Sequence, residues 1–136
     1  MASNTTFSFG PVLLTTTTTT NILNPGTTTG GVNCTGSPYD KLYLILKYLR
    51  VMNQTLSPVS FALWLGSTGT NSTSACFAFP GIASGAALTN GVSVPATNFV
   101  DWYGIRRVSQ ADFLVGGAGT ATALVIIGGG EIGIGA

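Results

Sequence analysis

Asp101 and Asp112, with Trp102 and Tyr103 between them, come nearest to a catalytic constellation in this sequence. Two carboxylates a few ångströms apart can cleave a glycosidic bond, one as acid and the other as base or nucleophile. Acids beside aromatics are also common in strands. An ion pair of Asp101 with Arg106 or Arg107 at a strand end explains the cluster without catalysis. The chain has no histidine, so a serine or cysteine nucleophile lacks its usual general base. Cys34 and Cys76 have neither CxxC spacing nor a histidine to complete a zinc site, and they read as reduced, partly buried thiols. Gly128-Gly129-Gly130 and Gly116-Gly117-Ala118-Gly119 lack the lysine and Ser/Thr ending of a phosphate-binding loop and read as hairpin turns. These residues predict no catalytic centre, no cofactor and no metal: not an enzyme.

Charge points the same way. Five basic and four acidic residues make up 7% of the 136, against roughly 25% in a typical soluble domain. Asp40, Lys41, Lys47 and Arg50 fall in one window, Asp101, Arg106, Arg107 and Asp112 in a second, and Glu131 stands alone. A net charge of +1 offers no basic stripe to a nucleic acid. The surface must then consist of Thr, Ser, Asn, Gly and apolar groups, which suits packing against copies of itself or a larger assembly. Trp64, Phe99, Trp102 and Tyr103 would be the stacking residues of a glycan-binding module, yet no polar cluster accompanies them. The N-terminus lacks a basic-then-apolar leader, and the uncharged run 113–130 is interrupted by six glycines, so it reads as two strands and not as a spanning helix. The expectation is a chain made in a cytoplasm, with no membrane contact.

The elements that must position these residues are strands. Thr and Ser supply 31 residues and Gly 19, while Glu, Gln, Lys and Arg are scarce, which favours strands and tight turns. Phe7 and Phe9 alternate with polar neighbours, and the threonine run 15–20 is β-branched throughout and should be extended. Residues 1–20 are therefore expected as an extended N-terminal arm, free to add to a neighbour's sheet edge, with Thr15, Thr16, Thr17 and Thr18 as contact residues. Loops are expected at 26–38, 66–74 and 80–91. Lys41 to Asn53 carries a helical stripe (Leu42, Ile45, Leu46, Leu49) and also a strand alternation. The alternation sets Leu42, Leu44, Leu46 and Tyr48 against Tyr43, Ile45, Lys47, Leu49 and Val51. Strand-rich surroundings favour a central strand covered on both faces. Phe61, Leu63 and Leu65 alternate inward over 58–66, and further strands are expected at 75–79, 92–95, 98–106 and 121–134 with a hinge at Gly128–Gly130. Ser109-Gln110-Ala111-Asp112 resembles a capping box for one helical turn. The expected fold is all-β: a single antiparallel, jelly-roll-like β-sandwich of about eight strands over residues 21–136. Leu44, Leu46, Phe61, Leu63, Leu65, Phe77, Leu124 and Ile126 should lie in its core.

Asp101, Trp102, Tyr103, Arg106 and Arg107 gather the residue types that dominate interfaces, which predicts a subunit contact along one edge of their strand. Val94-Pro95-Ala96, Val100-Asp101-Trp102-Tyr103-Gly104, Ala111-Asp112-Phe113-Leu114 and Gly130-Glu131-Ile132-Gly133, in that order, resemble small virion structural proteins of tailed bacteriophages. Tyr48-Leu49-Arg50-Val51 and Leu63-Trp64-Leu65-Gly66 fit the same pattern, so the resemblance covers about residues 40–135 and leaves the N-terminal segment outside. What it implies is a particle component: a head decoration or cement protein on the capsid surface, a homotrimer binding between major capsid proteins. A tail or baseplate component, including a receptor-binding tip, is the alternative of the same kind. A glycan-binding module is the alternative from another class.

Overall fold

Period-two alternation, punctuated by Gly, Pro and Asn, becomes strand throughout the computed structural model, which describes residues 5–17, 20–24, 42–66, 77, 91–109 and 112–134. The strands are β1 (Thr5–Leu13), β2 (Thr20–Leu23), β3 (Leu42–Asn53), β4 (Val59–Gly66), β5 (Val92–Val94), β6 (Phe99–Val108), β7 (Phe113–Ala118) and β8 (Leu124–Ile134). They form two four-stranded sheets, ordered β1-β8-β3-β6 and β2-β7-β4-β5. Every pairing among these strands is antiparallel: β1 with β8, β2 with β7, β3 with β6 and β4 with β5, joined by β3 with β8 and β4 with β7. That order is one long hairpin rolled over on itself, a jelly roll. Phe9, Leu44, Leu46, Leu49, Leu124 and Ile126 of the first sheet pack with Ile22, Phe61, Leu63, Leu65 and Leu114 of the second. Each such side chain contributes roughly 1.5–3 kcal/mol by leaving water. Phe77, also expected in the core, is partly buried against it.

Residues 41–53 are a strand, but not one of simple alternation. Leu44 and Leu46 are buried, and so are Leu49, Val51 and Asn53. The phase changes at Lys47. Leu46 and Tyr48 oppose consecutive residues of β8, Gly130 and Gly129, so Lys47 is a bulge. On β6 the same two residues oppose Arg106 and Tyr103, leaving Gly104 and Ile105 at the level of Lys47. From β8 through β3 to β6 each strand is one residue longer at this level, and the sheet fans open towards β6. Tyr48 consequently joins Ile45, Arg50 and Met52 on the outer, half-exposed face, so β3 is covered on one face and not on both. Gly128-Gly129-Gly130 lies within β8, neither a hinge nor a turn, and Gly116 and Gly117 lie within β7. The bulge presses the Ile45 carbonyl onto Gly130, where a Cβ would overlap it.

The N-terminal segment is not a free arm over residues 5–13. β1 runs along β8 from Thr5 opposite Ile132 to Leu13 opposite Val125, because Phe7 and Phe9 have a core to pack against. A bulge separates Phe9 from Val12, with Gly10 at φ +87°. Of the threonine run, Thr15–Thr17 are not strand either, whereas Thr20 opens β2. Thr15–Thr17 form the corner that carries the chain between sheets, with the Thr15 and Thr17 hydroxyls 2.7 Å apart and the Thr15 carbonyl accepting from Ala118 N–H at 2.8 Å. At Ser109 the Asp112 carboxylate accepts the Ser109 N–H at 2.8 Å, as a capping box would, but the chain passes into β7 without a helix among the described residues. Thr18, both cysteines, the expected loop at 26–38, those at 66–74 and 80–91 apart from Gly66, which closes β4, and Gly91, and the expected strand 75–79 apart from Phe77 lie outside the described residues.

The connections β1–β2, β3–β4, β5–β6 and β7–β8 all turn at one end of the roll. They are tied there by Leu14 N–H to the Leu124 carbonyl (3.0 Å), Gln54 N–H to Ala123 (3.0 Å) and Thr97 N–H to Thr55 (3.0 Å). Asn53 sits among them with its amide nitrogen donating to the Ser57 and Val94 carbonyls at 2.8 and 3.0 Å. This clamp sets where β6 begins.

Candidate functional site

Pairing of β3 with β6 sets Ile45 opposite Arg107, Tyr48 opposite Tyr103, Arg50 opposite Asp101 and Met52 opposite Phe99. Opposed residues share a face, and these point away from the second sheet. Arg50 grips Asp101 with both ends of its fork: Nε donates to Oδ1 at 2.8 Å and Nη2 to Oδ2 at 2.9 Å. The Tyr103 hydroxyl donates to the same Oδ2 at 3.2 Å. The Arg50 guanidinium lies 4.1 Å from the centre of the Phe99 ring, and that of Arg107 lies 4.0 Å from the centre of Tyr43. Lys47 Nζ meets Glu131 Oε1 at 3.0 Å on the same face. Five of the seven charged residues among those described therefore share one surface, and four of them are paired.

The Arg50 hydrogen bonds, helped by its charge and by the Tyr103 hydroxyl, hold the Asp101 carboxyl below the ordinary carboxylate range. Reciprocally, the hydrogen bond to Asp101 raises Arg50. A carboxylate held this way is ionised at neutral pH and has no proton to donate. Beside this network β6 is the edge of its sheet. Tyr103–Arg107 are all exposed, Tyr103 by 72% and Ile105 by 80%.

Asp101 thus pairs with Arg50 and not with Arg106 or Arg107. Those two lie roughly 17–20 Å farther along the same strand, whereas Arg50 faces Asp101 across the ladder. Arg107 stacks on Tyr43 instead, and Arg106 makes no ion pair among the described residues. Asp112 lies beyond the far end of β6, separated from Asp101 by more than about 20 Å of strand, so the two carboxylates are not brought together. Trp102 opposes Leu49, turns inward and meets the Phe77 ring edge-on at 5.0 Å and 61°. Its indole covers Gly104. Trp64 is buried in β4, so Trp64, Trp102, Tyr103 and Phe99 make no common platform. Thr15–Thr17 follow β1, at the opposite edge of the first sheet from β6, and do not join the surface of Asp101, Tyr103 and Arg107.

Arg50, Tyr43 and Lys47 escape a reading of the sequence as site residues, whereas Phe99 is legible as an aromatic and Ile105 as sharing the face of Asp101 and Tyr103. The outward phase of Tyr48 and Arg50 follows from the bulge at Lys47, and the Arg50–Asp101 contact spans 51 positions. Comparison with known protein families, with curated proteins and with solved structures finds no match.

Proposed function

We propose that this chain is a structural protein of a tailed-phage particle, a cement or decoration protein on the capsid surface that binds between major capsid proteins and acts by binding alone. The observation that carries the reading is the outer face of β3 and β6, where charges are already paired beside exposed Phe99, Tyr103 and Ile105. Ion pairs formed within one chain can be covered by a partner without leaving a bare charge in the contact. Arg and aromatic side chains supply most of the energy of such contacts. The charge-poor composition and the resemblance over residues 40–135 support the same reading.

The test is add-back of the purified protein to particles that lack it, with occupancy and the temperature of genome release measured together. Occupancy in the hundreds, a higher release temperature, and lower occupancy for Tyr103→Ala and Ile105→Ala are expected. Saturation at tens of copies or fewer would instead make it a tail component. Unchanged binding of both variants would remove this face from the account.

A further inference from the structure

We infer that two copies of this chain pair through their β6 edges, antiparallel about a two-fold axis at Gly104, joining their first sheets into one continuous sheet. The inference rests on reading the β3–β6 face as a contact surface and not on any particle.

Among the described residues four strands lie at sheet edges, and an edge left open recruits another strand. Three are poor templates. β2 and β5 offer four and three residues, and β1 is broken by the bulge at Gly10 and Pro11. β6 offers ten residues without proline, five in succession exposed; it sets two residues, Gly104 and Ile105, against Lys47 of β3, yet keeps Asp101, Tyr103 and Arg107 on one face.

Self-pairing must place outward residues opposite outward ones, which restricts the register to alternate positions. Centred on Gly104, it sets Asp101 opposite Arg107 of the second copy, Tyr103 opposite Ile105, and Trp102 opposite Arg106, each pair occurring twice. Centred on Tyr103, it sets Asp101 opposite Ile105. Centred on Ile105, it sets Asp101 opposite Ser109. Of these three registers, the Gly104 one alone gives Asp101 an arginine, gives Arg106 an aromatic face, and covers the two most exposed large hydrophobic side chains of the strand with each other. Local geometry agrees. Asp101 accepts three hydrogen bonds, two from Arg50 and one from Tyr103, while a carboxylate has about four acceptor sites. The guanidinium carbon of Arg107 lies 4.0 Å from the centre of the Tyr43 ring, and a guanidinium carries five N–H donors.

Sedimentation velocity of the purified protein tests this. A dimer dissociating at about 1–100 µM is expected, in keeping with a contact smaller than a standard interface. Arg107→Glu opposes like charges and should weaken it by about tenfold or more. Ile105→Lys should do the same, and its position is exposed, so that monomer should melt as the parent does, while Arg107→Glu also loses its contact with Tyr43 and should melt slightly lower. Tyr103→Cys mixed with Ile105→Cys, with Cys34 and Cys76 changed to serine, should give a mixed disulfide on mild oxidation and neither variant alone a self-linked dimer. A monomer at all concentrations, a trimer, a dimer indifferent to Arg107→Glu, or self-linking of either single cysteine overturns the inference. Dimerisation with no binding to particles would instead leave it standing and remove the capsid reading.

Discussion

Replacing Asn53 with leucine removes a buried amide that ties the end of β3 to the next corner and to β5. The side chain is 4% exposed. It donates to the Ser57 and Val94 carbonyls at 2.8 and 3.0 Å and accepts from the Thr55 N–H and hydroxyl, both at 2.8 Å. Four bonds at a net ~1 kcal/mol each are lost, and stranding a buried carbonyl costs ~1–3 kcal/mol more. Burying the leucine returns about 2 kcal/mol. The balance is a loss of about 3–5 kcal/mol. For a chain of 136 residues, that lowers Tm by roughly 10–18 °C. Asn53→Asp isolates the donor. The carboxylate keeps the Thr55 bonds but turns an acceptor towards the Ser57 and Val94 carbonyls, so its folded pKa should rise above its unfolded value. A raised carboxyl pKa destabilises above the unfolded pKa, so the penalty of Asn53→Asp should shrink as pH falls and the protonated acid donates to a carbonyl. Thermal melts followed by circular dichroism at neutral and acidic pH measure both. A leucine variant within about 2 °C of the parent, or an aspartate penalty that grows on acidification, would refute the clamp.

Asp101 should show the opposite sign. Its carboxyl is depressed by Arg50, so the pair's contribution is present above the ordinary carboxylate range and is lost as pH falls below about 4. Urea titrations across acid pH should show the parent losing more stability than Asp101→Asn, and parallel curves would contradict this. Gly130→Ala meets the Ile45 carbonyl, a backbone atom that cannot move aside, whereas Gly104→Ala meets only the Trp102 ring. The first should cost about 3 kcal/mol or more and the second about 1 kcal/mol, and equal costs in chemical denaturation would rule out the bulge argument. Trp64 Nε1 is buried with no hydrogen-bond partner among the described residues. Trp64→Phe should therefore stay within about 1 kcal/mol of the parent in Tm-derived stability, and a loss of about 3 kcal/mol would mean that the indole N–H does matter.

The all-β class was legible because strand-forming residues and turn residues act locally. Phe61, Leu63 and Leu65 on one face need only the two-residue period of an extended backbone. The inward phase of Leu44 and Leu46 was legible for the same reason. That of Leu49 and Val51 was not, since Lys47 becomes a bulge only when β3 is laid against Gly130 and Gly129 of β8. The threonines show a local preference overruled. β-branching favours extension, but the roll turns its corner at Thr15–Thr17, and packing both flanking strands outweighs a small backbone preference. The outward side of Asp101 and Tyr103 could be read from alternation. Arg50 as the partner could not, because a ladder between segments 51 positions apart has no signature in either segment. A single strand carries its own faces, and only the neighbour it pairs with sets the register that turns those faces into a site.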